Sequence, residues 1–131
     1  MAELRIKMRA SADIFGKPKV FFAVHPREFN KYFSDTTELL FKYSDCAVFY
    51  KDPELDYTDG EYRRDIAEMQ LLVAPITTRL LTDGADALED VRLAIEKRIP
   101  VLPIVEEVGL VELFNKALPS LQYLDKTSNW N

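Results

Sequence analysis

Four short apolar runs constrain the fold of this chain more than any other feature of its sequence. They contain β-branched and aromatic residues, and the stretches between them carry apolar residues at helical spacing. The runs are Lys19–Val24, Cys46–Tyr50, Leu71–Ala74 and Val101–Ile104. Parallel strands are covered on both faces, so their sequences are continuously apolar, as these runs are. The alternation therefore predicts an α/β fold with these runs as parallel strands.

The order of the segments predicts one domain of the flavodoxin-like, three-layer type. We expect a parallel sheet of four to five strands with helices on both faces, in which Leu121–Leu124 provides a last short strand. Residues 17–131 would form this domain, preceded by an N-terminal extension over residues 1–16. Sheets of this type bind ligands beyond the carboxyl ends of their strands, so the residues that follow each strand are the first to consider.

Composition excludes several classes of protein. With 47% hydrophobic residues and a formal net charge of −5, the chain is neither disordered nor a non-specific binder of nucleic acid. No apolar stretch approaches the roughly 20 residues of a membrane span, and the N-terminus lacks the apolar core of a signal peptide. A single cysteine, Cys46, excludes a disulfide framework and a multi-cysteine zinc site. These features predict a cytoplasmic domain without a nucleic-acid partner, a membrane partner or a metal.

The common nucleotide-binding and hydrolase motifs do not occur in this chain. There is no GxGxxG after a strand, no GxxxxGK[ST] and no GxSxG. The single histidine, His25, is interpreted as a loop residue at the crevice rather than as a catalytic base. The acidic residues of Lys51–Gly60 do not follow the order of an EF-hand loop, so a solvated acidic loop is the favoured interpretation.

Two adjacent acids, Glu89 and Asp90, lie in the predicted helix Asp86–Arg98. On a helical wheel Glu89 projects away from the buried face, whereas Asp90 lies at the edge of that face. The predicted buried face comprises Ala87, Leu88, Val91, Ala94 and Ile95. A carboxylate at such a boundary can have a raised pKa and act on a ligand, but an acid early in a helix can also simply stabilise the helix dipole. Both interpretations of Asp90 remain open at this point.

The order of these segments resembles that of a bacterial Toll/interleukin-1 receptor (TIR) domain, over about Lys17 to Asp125. The most specific part is an acidic residue in a helix, an alanine four positions later, and then an aliphatic-proline-aliphatic strand. In this chain these are Asp90, Ala94 and Val101–Ile104.

Many bacterial TIR domains hydrolyse or cyclise NAD+ by breaking its nicotinamide–ribose bond, often as effectors of anti-phage defence. The resemblance therefore implies NAD+ as a substrate, with no further cofactor. The catalytic residue of the family is a glutamate, which falls on Asp90; Glu89 is the fallback if the helix is shifted by one residue. A carboxylate there can stabilise the oxocarbenium-like ribose that forms as nicotinamide leaves.

The resemblance also implies binding residues and partners. The loop Lys51–Gly60 would gate the site and mediate TIR–TIR contacts in a homo-oligomer, and a sensor or repeat domain would be fused to this one in a longer protein. The residues implied to bind the substrate are Val24, His25, Arg27, Lys51 and Asp52.

Three functions remain open from the sequence. The first is an NAD+ glycohydrolase or cyclase. The second is a catalytically silent TIR scaffold for homotypic protein interaction, because an aspartate stands in place of the family's glutamate. The third is an enzyme similar to nucleoside deoxyribosyltransferases, whose sheet and acid-bearing helix are similar to those predicted for this chain.

Overall fold

The computed structural model of the protein describes residues 3–9, 16–83, 86–119 and 121–127. Within them, six strands form one sheet: β1 (Arg5–Lys7), β2 (Lys19–Phe22), β3 (Ala47–Tyr50), β4 (Leu71–Ile76), β5 (Val101–Val105) and β6 (Leu124–Asp125). Their order across the sheet is β1-β3-β2-β4-β5-β6. All neighbours pair in parallel except β1, which pairs antiparallel with β3. The predicted α/β class and the four parallel strands are confirmed.

Helices cover both faces of the sheet, as predicted. They are α1 (Phe29–Tyr43), α2 (Arg63–Ile66), α3 (Thr78–Thr82), α4 (Asp86–Glu96) and α5 (Val111–Ala117), and a 3₁₀ turn spans Pro26–Glu28. On one face, α1 packs Tyr32 and Phe41 against strand residues such as Phe22. On the other face, α2 to α5 pack onto Phe21 and its neighbours. Because adjacent strand residues point to opposite faces, both cores draw on the same apolar strands.

The sheet has six strands rather than four or five, because residues 5–7 of the expected extension form β1. The strand consists of Arg5, Ile6 and Lys7, so a single apolar residue lies between two charged ones. Such a short segment does not show the apolar pattern that predicts a strand. Pairing with the edge of β3 creates the strand. The segment is also fixed by Tyr57, whose hydroxyl donates to the carbonyl of Glu3 at 2.9 Å.

Three further details differ from the sequence prediction. The last strand lies at Leu124–Asp125 rather than at Leu121–Leu124. Helix α3 was not expected in the segment after β4; it begins where the Thr77 hydroxyl accepts the Leu80 N–H at 3.1 Å. Ile95, predicted to be buried, is 41% exposed. The buried face of α4 includes Asp90 instead.

No helix in the part of the chain that the structure describes combines the length and apolar character needed to cross a membrane.

Candidate functional site

A cavity of about 400 Å³ opens beyond the carboxyl ends of β2 and β3. Its volume lies within the range of small-molecule sites, and its position is the one expected for ligand binding in an open parallel sheet. The structure brings all five residues predicted to bind substrate to its wall: Val24, His25, Arg27, Lys51 and Asp52. Their role in binding stays a prediction.

The cavity wall also contains residues that the sequence did not indicate. Asp83 and Asp86 add carboxylates, while Phe22, Phe29, Leu55 and Tyr57 add apolar surface. Asp83 follows α3 and Asp86 begins α4. Because α3 was not expected, nothing in the sequence indicated that these two acids would lie beside the loop after β2.

His25 is buried at the start of the 3₁₀ turn and organises one wall of the cavity. Its Nδ1 accepts the backbone N–H of Arg27 at 3.1 Å. In the neutral ring the proton is therefore on Nε2, which faces Asp83 Oδ2 at 2.5 Å. His25 thus holds Asp83 in place, as a loop residue at the crevice.

The loop over residues 51–60 forms the opposite wall and is built from local turns. The side chains of Asp52, Asp56 and Asp59 each accept the backbone N–H of the residue two positions on, which is the pattern of Asx turns. Gly60 has a φ of 69°, in the left-handed region that favours glycine, just before α2. These acids therefore bond to the loop's own amides. Among the described residues, no group of three or more His, Cys, Asp or Glu could hold a metal ion.

Asp90, which we expected within reach of the crevice beside the His25 loop, is not among the residues that line the cavity. Its carboxylate is fully buried behind Lys51, which does line the cavity. The hydroxyl of Tyr62 donates to Asp90 Oδ1 at 2.8 Å, and Lys51 Nζ lies 2.8 Å from Oδ2. A helical wheel describes only the faces of one helix, so it could not show that Lys51 and Tyr62 approach from other elements. We refer to Asp90, Lys51 and Tyr62 as the Asp90 triad.

Glu89 faces solvent, as predicted. Its side chain is 55% exposed and pairs with Arg92 at 2.7 Å. The phase of the predicted helix is therefore confirmed at this position.

The Asp90 triad is an ion pair supported by a phenol. Lys51 Nζ also donates to the Tyr62 hydroxyl at 3.1 Å and lies 4.5 Å from the centre of its ring. A weaker contribution comes from Arg63, whose Nε lies 3.8 Å from Asp90 Oδ1. Oδ2 contacts Lys51 as an ion pair, but no described residue donates to it with hydrogen-bond geometry. Such an incompletely bonded, buried oxygen is uncommon in proteins.

Burial and charge act in opposite directions on these groups. Burial raises the pKa of the Asp90 carboxyl above its usual range, and the opposing charge of Lys51 does not cancel this effect. Burial is the largest single effect on the pKa of Lys51 and lowers it, but the charge and hydrogen bonding of Asp90 and Tyr62 together outweigh burial, so the pKa of Lys51 is raised. Lys51 is therefore a cation at neutral pH, held between the buried carboxylate and the cavity.

Comparison with known proteins gives a structural likeness only. No protein-family model matches the chain, and no curated protein matches its sequence. Among solved structures, it is similar to the TIR domains in the structure of the activated Roq1 resistosome directly recognizing the pathogen effector XopQ. The TM-score is 0.53 at 18% sequence identity, and the match covers 88% of this chain and 92% of that one. At this identity the likeness establishes the fold, and the chain therefore has a TIR-like fold.

Proposed function

We propose that this TIR-like domain cleaves the nicotinamide–ribose bond of NAD+, as a glycohydrolase or a cyclase, with Asp90 as the carboxylate beside the ribose. The observation that carries the proposal is the position of Asp90. It lies on α4, separated by a single side chain, that of Lys51, from a cavity lined by the five predicted binding residues.

The chemistry requires a negative group near the ribose and a way of exposing it. As the bond to nicotinamide breaks, its electron pair leaves with nicotinamide and positive charge develops on the ribose, which a carboxylate stabilises. Water then attacks the sugar carbon and releases a proton in hydrolysis, whereas a nucleophilic atom elsewhere in the same molecule attacks that carbon in cyclisation. In the described conformation Lys51 covers the Asp90 carboxylate. An anionic part of the substrate offers the Lys51 ammonium another partner, and its movement toward that partner would uncover Oδ2.

The direct test is to incubate the purified protein with NAD+ at high protein concentration and to measure free nicotinamide by chromatography. We expect slow release, because an aspartate is one methylene shorter than the family's glutamate. Absence of nicotinamide at every concentration would favour the silent TIR scaffold. Exchange of bases between deoxynucleosides, with NAD+ left intact, would instead indicate the deoxyribosyltransferase-like enzyme.

We expect the nicotinamide released per protein molecule to increase with protein concentration. The structure that this chain resembles contains TIR domains within a resistosome, and contacts between copies through the loop at residues 51–60 would complete the site. Light scattering over the same concentrations should show that oligomers form in step with activity. A constant specific activity from a monomer would contradict this expectation.

The role in anti-phage defence and the fused sensor or repeat domain follow from the resemblance alone, and the cytoplasmic location follows from composition. All three stay predictions.

A further inference from the structure

A second, more open cavity of about 660 Å³ lies beside the first, and we refer to it as the outer groove. Arg27 and Asp83 line both cavities, so these two residues form a wall that the cavities share. The outer groove is otherwise bounded by the start of α1, the start of α3 and the segment after β5. The resemblance and the proposed function assign no role to it.

The acids of the outer groove already bond to donors of the chain itself. Glu107 Oε1 accepts both the N–H and the hydroxyl of Thr78 at 2.8 Å. Glu28 is buried and accepts the Thr77 hydroxyl at 2.6 Å. Asp83 is held by His25. Each of the three carboxylates therefore bonds within the protein rather than only to solvent.

The cations of the outer groove do not form close contacts with oppositely charged groups of the described residues. Arg27, Lys31 and Arg79 are all exposed, and none has a carboxylate of any described residue within 4.0 Å. Lys31 packs beside the Tyr32 ring, with its Nζ 5.2 Å from the ring centre. Three cations thus line one groove without forming an ion pair within 4.0 Å, although the charges of Glu107 and Glu28 act on Lys31 from further away.

Lys31 and Arg79 line the outer groove together with Glu107. The pKa of Glu107 is lowered, chiefly because the Thr78 amide donates to it, and the charges of Lys31 and Arg79 lower it further. Both cations therefore act on the same edge of the outer groove. A bound anion there would interact with both of them.

We propose that the outer groove binds a phosphoryl group through Arg27, Lys31 and Arg79. Guanidinium groups bind phosphate oxygens in pairs, and the lysine adds a point charge. Because Arg27 also lines the first cavity, a nucleotide in that cavity can place a phosphoryl group in the groove. The inference concerns binding, and it stands whether or not NAD+ is cleaved.

The test uses inorganic pyrophosphate, titrated into the full 131-residue protein and followed by calorimetry. We expect saturable binding that weakens as salt is added. Lys31→Gln and Arg79→Gln should each weaken it about threefold, and together about tenfold, as expected for exposed charge pairs. Arg64→Gln is the matched control, because Arg64 is an exposed cation on α2 outside both cavities. It should leave the affinity unchanged.

Two further ligands identify the source of the phosphoryl group. ADP binding more tightly than pyrophosphate would identify a nucleotide that spans both cavities, whereas equal affinities would identify free phosphate groups. Absence of pyrophosphate binding, or binding that the double variant does not weaken, would overturn the proposal. Since pyrophosphate has no glycosidic bond, these results are independent of any test for NAD+ cleavage.

Discussion

Lys51→Met should lower the free energy of unfolding by about 3 kcal/mol at pH 7, because it removes the nearest cation from a fully buried carboxylate and leaves only the weaker interaction with Arg63 at 3.8 Å. The Asp90 side chain is 0% exposed and that of Lys51 is 16% exposed, so water does not solvate the carboxylate that loses its ion pair. Tyr62 would keep its hydrogen bond to Oδ1, but a phenol does not neutralise the carboxylate. Urea denaturation of both proteins, followed by circular dichroism, measures the difference.

The free energy of unfolding that Lys51→Met loses should increase as the pH rises. The pKa of Asp90 is already raised by burial, and without Lys51 it should rise further. A carboxyl whose pKa is higher in the folded than in the unfolded chain gives stability at low pH, and this stability is lost as the pH rises through the folded pKa. The deficit of Lys51→Met should therefore be smaller at pH 5 than at pH 8. Equal deficits at the two values would contradict an ionised Asp90 as the cause.

Two control variants separate charge from packing. Lys97→Met removes an exposed lysine from the segment after α4 and should change stability by no more than about 0.5 kcal/mol. The double variant Lys51→Met/Asp90→Leu removes both charges. It should recover most of the loss, because apolar replacement of a whole buried ion pair is often neutral. If it is as unstable as the single variant, lost packing rather than an unpaired charge explains the effect.

If the domain cleaves NAD+, Asp90→Ala should abolish the activity, and Asp90→Glu should increase it on the order of tenfold. The extra methylene adds about 1.5 Å of chain. The glutamate carboxylate would therefore reach further toward the cavity than the Asp90 carboxylate, which Lys51 covers. Catalytic groups tolerate displacements of only about 0.5 Å, so this length decides the rate. Nicotinamide release per molecule, at a fixed protein concentration, is the quantity to compare.

The neighbouring acid provides the matched control. Glu89→Ala removes an exposed carboxylate that contacts only Arg92 among the described residues, and it should leave nicotinamide release nearly unchanged. Circular dichroism of the Asp90 variants must show the same fold as the parent, because Asp90→Ala also leaves Lys51 without its partner. An active parent protein that is indifferent to Asp90→Ala would remove Asp90 from the mechanism. An inactive one that Asp90→Glu fails to activate would favour the silent scaffold.

The sequence predicted those features that depend on local periodicity. The central strands are continuously apolar because both of their faces are covered, so the fold class and the parallel arrangement could be predicted from the sequence pattern. The resemblance implied the binding residues, and those such as Val24 and Asp52, which lie near the carboxyl ends of neighbouring strands, line one cavity. The outward direction of Glu89 followed from the helical wheel.

Features that depend on contacts between distant segments could not be predicted in this way. Tyr62 meets Asp90 across 28 positions of the sequence, and neither residue carries a local signal of that contact. The wheel placed Asp90 at a boundary, but the Lys51 and Tyr62 side chains close that boundary. Helix α3 is only five residues long, and it depends on a capping threonine rather than on an apolar pattern.

The pairing of β1 bears on how the protein can be shortened. In a chain that began at Lys17, the apolar strand β3 would become the edge of the sheet, with its outer N–H and C=O groups unpaired. Such an edge is a template for aggregation through strand addition between molecules. The same truncation would remove Glu3, whose carbonyl accepts from Tyr57, while Tyr57 in turn accepts the N–H of Asp52 at 3.1 Å. Strand β1 and Glu3 thus cover the edge of β3 and hold a loop at the cavity, although no described residue before Lys17 lines it.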